Sequence, residues 1–280
     1  MSAQVKLSRN LTELGPLCIG LDPDLQRLPA ACRGDTGVFL REIIAATAEV
    51  ASAYKLNIAF FESQGADGFR VLESVRAAIP ERALLIWDAK RGDIENTNEH
   101  YARSAFSVFK ADAVTVHPYL GLEPLRPFFA YRDRLTFVLC ATSEGTTLQD
   151  LHVKMTSDKQ GRHGGEVDLG EPLALWVARE VARLNEGQCG LVVGATNLSR
   201  LRAVRAIAKG VPLLVPGVGA QGGEIPAQPA LINASRSILY ASSGADFADA
   251  AAKAAQALRA ACLRAADFSG KDDNPGITHE

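Results

Sequence analysis

The feature that most limits what this chain can fold into is a rhythm. Short apolar runs recur along almost its whole length, each followed by a longer amphipathic or polar stretch. Read as strands, the runs are Pro16–Asp22, Ala53–Phe60, Ala83–Lys90, Ala113–Val116, Leu135–Ala141, Gly190–Val193, Val211–Pro216 and Ser237–Ala241. Helical spacing fills most of the intervals: Val38–Ala53, Ala66–Ala78 (stopped by Pro80), Thr97–Lys110, Leu122–Ala130, Pro172–Leu184, Leu198–Ala208 and the Ala-rich Ala245–Ala266. Pro172 suits the first turn of its helix. The strands are apolar on both faces, as a parallel sheet covered by helices requires. Eight strands with helices between them in 280 residues predict an α/β fold, a single (β/α)8 TIM barrel spanning 1–280, with a frayed tail at 268–280. A doubly wound open sheet is the alternative. No repeat or linker divides the chain.

Composition narrows the function classes. Thirty Lys and Arg stand against 32 Asp and Glu, a net charge of -2, which argues against a broad nucleic-acid-binding face. A small anionic ligand needs only a local cluster of cations, so it stays open. The N-terminal segment lacks a signal-peptide apolar stretch, and no run approaches the ~18 apolar residues of a membrane span. The five cysteines are odd in number and none has C-x-x-C spacing, so they read as small buried hydrophobes in a reducing compartment. The expectation is a cytoplasmic protein with no membrane partner.

In a barrel the strand ends converge on one face, where active sites sit. The first strand ends in Leu21-Asp22-Pro23-Asp24, and the second carries Lys55 and Asn57 among apolar residues. The third ends in Asp88-Ala89-Lys90-Arg91-Gly92-Asp93-Ile94. Asp88 and Lys90 are two apart, so on a strand they point to one side. Charges placed there are costly unless paired or used. Gly92 permits a sharp turn that re-aims Asp93, and Thr97 follows Asp93 by four, on one face as the next helix starts. A structural ion pair at the barrel mouth is the plain alternative. With Asp22, Lys55, Asp88, Lys90 and Asp93 on one rim, the functional reading is preferred.

The seventh strand runs into Pro216-Gly217-Val218-Gly219-Ala220-Gln221-Gly222-Gly223. Its G-x-G-x-x-G spacing comes late in the chain with no convincing helix after it, so a dinucleotide fold is a poor reading. Loops after strands seven and eight of a barrel often bind phosphate, and glycines let backbone N–H groups approach an anion. Arg236, entering the predicted eighth strand, is placed to clamp the same anion, with a surface salt bridge as the alternative.

With those residues placed, the chain resembles the orotidine 5′-phosphate decarboxylase family, and within it the bacterial branch of somewhat longer chains, type 2. The segment from Asp88 to Ile94 matches that family's D-x-K-x-x-D-I signature. Gly20-Leu21-Asp22, Lys55, Thr142-Ser143, the 216–223 loop and Arg236 stand beside it. The resemblance implies conversion of orotidylate to uridylate and CO2 at the last step of de novo pyrimidine synthesis. It also implies no metal, no organic cofactor and a homodimer with shared active sites. By the same resemblance Lys90 gives the proton to C6, Asp88 lies beside the departing carboxylate, and Asp93, with Thr97, completes the array from the neighbouring subunit. Asp22 and Lys55 hold ribose hydroxyls, Lys55 also joining the catalytic charged array, Ser143 meets the pyrimidine, and Gln221, Gly219, Gly222 and Arg236 meet the phosphate. The 142–170 stretch and the Gly-rich loop are the expected lids. Tyr54-Lys55-Leu56-Asn57 departs from the K-x-H pattern of the eukaryotic branch.

Two other functions fit parts of the pattern. The D-x-K-x-x-D core is shared with a metal-dependent sugar-phosphate lyase branch, expected to carry an acidic metal ligand on strand two, where this chain has Lys55. A catalytically silent phosphate-binding protein has no need of alternating buried charges. The histidines lack metal-ligand spacing. His117, ending the fourth strand, is a candidate for site architecture or packing, and His152 and His163 read as solvated.

Overall fold

The computed structural model describes residues 1–142, 148–153, 170–218 and 230–269. Eight strands form the barrel: β1 (Leu17–Gly20), β2 (Ala53–Asn57), β3 (Leu84–Arg91), β4 (Ala113–Val116), β5 (Leu135–Ala141), β6 (Cys189–Val193), β7 (Leu213–Pro216) and β8 (Leu231–Ala234). They close in the order β1-β8-β7-β6-β5-β4-β3-β2, every neighbouring pair parallel. The TIM barrel is therefore the fold, and the open sheet is excluded by the β1–β8 pairing.

Alternation along each strand divides the core in two. Tyr54 and Leu56 of β2, Leu85 and Trp87 of β3, and Val114 and Val116 of β4 face the surrounding helices. Ala53, Leu84, Ile86, Ala113, Leu135 and Phe137 point inward and fill the lumen. Burying each large apolar side chain stabilises by ~1.5–3 kcal/mol. Phe137 fits because Gly190 lies opposite, where a Cβ would stand 2.5 Å from the Phe137 ring. The inward series then turns polar at the carboxyl ends: Lys55, Asp88, Thr115 and Asn233 occupy the next inward positions and are all buried.

The helices are α1 (Ala3–Glu13), α2 (Thr36–Thr47), α3 (Ala59–Glu62), α4 (Gly65–Ala78), α5 (Glu95–Arg103), α6 (Arg126–Phe129), α7 (Leu173–Leu184), α8 (Leu198–Ile207), α9 (Arg236–Leu239) and α10 (Phe247–Ser269). The sequence reading missed α1. It plugs the barrel's amino end: Ala3 and Leu7 join the lumen cluster, and Asn10 donates to Ser52 O (2.9 Å) and Arg82 O (2.8 Å).

Several boundaries move. The eighth strand is Leu231–Ala234, not Ser237–Ala241. Leu17, Cys18 and Ile19 of β1 pair with Ile232, Asn233 and Ala234, so the slot is already filled. The Ser237–Ala241 stretch, strand-like in propensity, instead supplies most of α9, with Ile238 and Leu239 buried, and Tyr240 stacks on Phe39. Arg236 thus opens a helix after β8. The second strand stops at Asn57 because α3 begins at Ala59, and α2 spans Thr36–Thr47, capped by Asp35, rather than Val38–Ala53. The expected 97–110 helix is α5, begun two residues earlier, followed by a π turn over Ser104–Val108. The expected 122–130 helix is a 3-10 turn (Glu123–Leu125) leading into α6. Pro172 is the N-cap of α7 and pairs with His152 in a two-residue antiparallel ladder within the polar stretch. The closing helix, α10, starts at Phe247 rather than Ala245 and takes in residues 268 and 269 of the expected tail.

Candidate active site

The carboxyl end of the barrel encloses a cavity of about 380 Å³, within the range of small-molecule sites. Asp22, Lys55, Asp88, Lys90 and Arg236 all line it. Asp88 is the hinge of the charged wall. Its Oδ2 accepts from Lys55 Nζ at 2.8 Å, and its Oδ1 accepts from Lys90 Nζ at 2.7 Å and Thr115 Oγ1 at 2.8 Å. Lys55 Nζ also stands 3.7 Å from Asp22 Oδ1, a buried oxygen that receives no hydrogen bond. The row therefore alternates Asp22, Lys55, Asp88, Lys90.

Electrostatics hold the two most buried members, Asp88 and Lys55, ionised. Burial opposes the Asp88 charge, yet Lys55 and Lys90 together keep its carboxyl well below the usual carboxylate range. Burial likewise pulls the Lys55 ammonium down, but Asp22 and Asp88 outweigh it and hold its pKa above the ordinary lysine range. Exposure separates the two lysines. The Lys55 side chain is 6% exposed, whereas that of Lys90 is 48% exposed and reaches into the cavity.

Asp88 and Lys90 share a side, but not by simple strand alternation. Pairing with β4 jumps from Trp87↔Val114 to Arg91↔Val116, a bulge. Lys90 carries the left-handed backbone there, at φ 47°, a conformation uncommon for a residue with a Cβ. Gly92 is not the left-handed residue. A Cβ there would lie 2.7 Å from the His117 ring and carbonyl, so glycine allows β3 and the end of β4 to touch. His117 packs there and does not line the cavity.

Asp93 and Thr97 do not join the cavity. Asp93 precedes α5 rather than sharing a helical face with Thr97, and its Oδ1 accepts from Ile94 N at 2.7 Å. Ile94, next in the chain, and Tyr119 and Leu120, after β4, expose apolar surface. Ser143, Gly219, Gln221 and Gly222 lie outside the described residues, as do most of the expected lids and His163.

Across the cavity from Asp88, Arg236 makes no ion pair with any described residue, and the buried Ser235 Oγ has no hydrogen-bond partner. Gly217, with φ 96°, begins the Gly-rich loop in the left-handed region. Arg27 and Tyr240 also line the cavity, without a sequence signal that marks them. The Arg27 guanidinium lies 4.1 Å from the centroid of the Tyr240 ring, whose hydroxyl accepts from Asp24 N at 2.6 Å. Thr115, a polar residue in an apolar strand, carries the same signal that marks Lys55; Asn233 does not, because its strand emerges only from pairing with β1 and β7. Among the described residues, no three His, Cys, Asp or Glu side chains gather as a metal site. The cation between Asp22 and Asp88 is the chain's own Lys55 ammonium. All five cysteines are free and buried, and burial raises their pKa values, that of Cys18 to about 12.

The fold is an α/β barrel with a charge-lined cavity at its carboxyl end, where barrel enzymes carry their sites. Comparison with known proteins makes the class specific. Residues 15–261 match the family described as Orotidine 5'-phosphate decarboxylase / HUMPS family, and the chain belongs to that family. An orotidine 5'-phosphate decarboxylase of Herpetosiphon aurantiacus is 43% identical over 254 residues, covering 86% of this chain and 90% of the relative. One of Thermomicrobium roseum is 44% identical over 260 residues, covering 87% and 88%. Among solved structures, the OMP decarboxylase of Leishmania donovani superposes with a TM-score of 0.74 at 36% identity, covering 93% of this chain and 100% of that one. Among the described residues, no helix is long and apolar enough to cross a membrane.

Proposed function

We infer that this chain decarboxylates orotidine 5′-phosphate to uridine 5′-phosphate and CO2, a carboxy-lyase step of pyrimidine nucleotide synthesis. The observation that carries the reading is the row Asp22–Lys55–Asp88–Lys90 facing Arg236 across one cavity. The substrate has an anion at each end, and the cavity has a cation for each.

In this reading the phosphate lies against Arg236 and Ser235, with Gly219, Gln221 and Gly222 of the loop completing its contacts. Asp22 and Lys55 hold the ribose hydroxyls, and Ser143 meets the pyrimidine. The carboxylate on C6 is then set beside Asp88. Like charges ~4 Å apart cost about 4 kcal/mol at an effective dielectric near 20, worth roughly a thousandfold in rate if it vanishes on the way to the transition state. It does vanish, because the C6–carboxylate bond breaks with its electron pair left on C6 and CO2 departs neutral. Lys90 stabilises the growing negative charge and then donates a proton to C6. Solvent reprotonates Lys90. Binding at the distant phosphate supplies the free energy that holds the carboxylate against Asp88.

The dimer belongs to the same proposal. Asp93 does not line its own cavity, and Ile94, Tyr119 and Leu120 leave apolar surface exposed. A second copy covering that surface receives Asp93 and Thr97 into its own site. The same reading places the chain in the cytoplasm. The direct test incubates purified protein with orotidylate in the presence of a chelator and follows uridylate. Formation of uridylate is expected; no uridylate in the presence of the chelator overturns the reading.

A further inference from the structure

We propose that Thr115 is a positioning residue that sets the geometry of the Asp88–Lys90 pair. The proposal rests on the decarboxylase reading and deepens it. Thr115 lies on β4, 1% exposed, opposite the irregular end of β3. Between the pairs Trp87↔Val114 and Arg91↔Val116, β3 has three residues (Asp88, Ala89 and Lys90) and β4 has one, Thr115. Three residues cannot all find ladder partners against one. An N–H left without a partner inside the barrel is costly.

The Thr115 side chain resolves this. Its Oγ1 accepts from Lys90 N at 3.0 Å. A hydroxyl has one proton, and here it is directed to Asp88 Oδ1 at 2.8 Å. The same Oδ1 accepts from Lys90 Nζ at 2.7 Å. The result is a closed circuit: Lys90 N–H to Thr115 Oγ1, Thr115 O–H to Asp88 Oδ1, and Lys90 Nζ back to that oxygen. Both ends of one lysine are thereby tied to one carboxylate. The left-handed backbone of Lys90 (φ 47°) is sparsely populated and persists only where its surroundings hold it. Thr115 is the group bonded to its amide. It also sorts the carboxylate, leaving Oδ2 to Lys55 and Oδ1 to Lys90.

Valine is the same size as threonine but lacks the hydroxyl. Thr115→Val removes the acceptor for Lys90 N–H and one donor to Asp88, so the ammonium loses its fixed place above C6. The experiment compares wild type, Thr115→Val and Thr115→Ser. Losing a hydrogen bond to a charged group predicts a kcat roughly ten- to a hundredfold lower for Thr115→Val. KM and uridylate affinity should stay within about twofold, because the phosphate contacts lie elsewhere. Thr115→Ser, which keeps the hydroxyl, should recover most of kcat. Hydrogen exchange gives a readout independent of turnover: the Lys90 amide is protected in wild type and in Thr115→Ser, and exchanges faster in Thr115→Val. Unchanged kcat and unchanged Lys90 protection in Thr115→Val overturn the proposal. So does a loss of kcat, uridylate affinity and melting temperature together that serine does not rescue, which marks Thr115 as a packing residue. If wild type itself forms no uridylate, the decarboxylase reading fails, and exchange at Lys90 still decides whether Thr115 holds its backbone.

Discussion

Asp88 and Asp112 face the same difficulty at opposite ends of one barrel. Each is a buried carboxylate, 6% and 7% exposed, with two cations at hand. At the amino end, Asp112 Oδ2 accepts from Lys6 Nζ at 2.9 Å and from Leu85 N at 2.9 Å, and Arg134 stands 3.6 Å from Oδ1. Lys6 comes from α1 and Leu85 from β3, while Arg134 directly precedes β5. The cluster closes the barrel, and one of its bonds goes to the strand backbone itself. At the carboxyl end the partners of Asp88 are side chains only, Lys90 reaches into an open cavity, and Asp22 keeps a buried oxygen without a hydrogen bond. The same chemistry therefore serves two ends: charges bonded into the scaffold hold it together, and charges left facing a cavity are available to a ligand.

Removing the exposed cation from the open end gives the largest effect. Lys90→Ala should lower turnover by at least roughly 10⁴-fold, the upper end of proton-transfer catalysis, while uridylate still binds by calorimetry. Near wild-type turnover would take Lys90 out of the proton-donor role and make the two ends alike.

Asp93 tests whether the open end is completed by a second chain. Mixing inactive Lys90→Ala and Asp93→Ala proteins under subunit exchange leaves about half the dimers mixed, each with one intact site. Roughly a quarter of wild-type activity should then return. Verified exchange with no recovery rejects the shared site.

Arg236→Ala should reduce kcat/KM by about 10–150-fold, mostly through KM, from the loss of a hydrogen bond to a charged group. Added guanidinium should restore part of it. A substrate lacking the phosphate should not distinguish the variant from wild type; equal damage to both substrates would make Arg236 structural.

At the closed end, Asp112→Ala should cost roughly 3 kcal/mol of stability by breaking a buried pair. Its kcat at 25 °C should be unchanged. Denaturant unfolding and steady-state kinetics on one preparation check both, and a selective loss of kcat would erase the contrast.

The smallest effect is one of pH. Asp88 has a depressed pKa, so its contribution to stability is present above the unfolded value near 3.9 and is lost only as pH falls through the lower folded value. Lys55 has a raised pKa, so its contribution is present below about 10.4 and is lost as pH rises through the higher folded value. Both directions follow from the mutual pairing. The stability difference between wild type and Asp88→Asn should therefore be flat from about pH 5 to pH 8. A slope in that window, measured by urea unfolding, would show that the row titrates there.

Much of this molecule is legible in the order of its residues. A buried strand must be apolar and a covering helix amphipathic, so the barrel and most of its strands follow from period alone, with β4 and β5 read to the residue. The charged positions are legible for the converse reason: Lys55, Asp88 and Lys90 interrupt apolar strands, and such interruptions are costly without a partner. Thr115 obeys the same logic, but a neutral side chain in Ala113–Val116 breaks the pattern less visibly, and Asn233 is hidden because its strand is not legible in the sequence. Other features are decided only when distant segments meet. Ser237–Ala241 has strand propensity, yet Leu231–Ala234 takes the eighth place because only there does β8 register with both β1 and β7. α1 has a single apolar stripe, and what makes it a plug is the open floor of the lumen. The bulge at Lys90 arises from three residues of β3 facing one of β4, a mismatch between two strands that neither contains alone. Local pattern fixes which residues must be buried; the closure of the sheet fixes which buried residues touch.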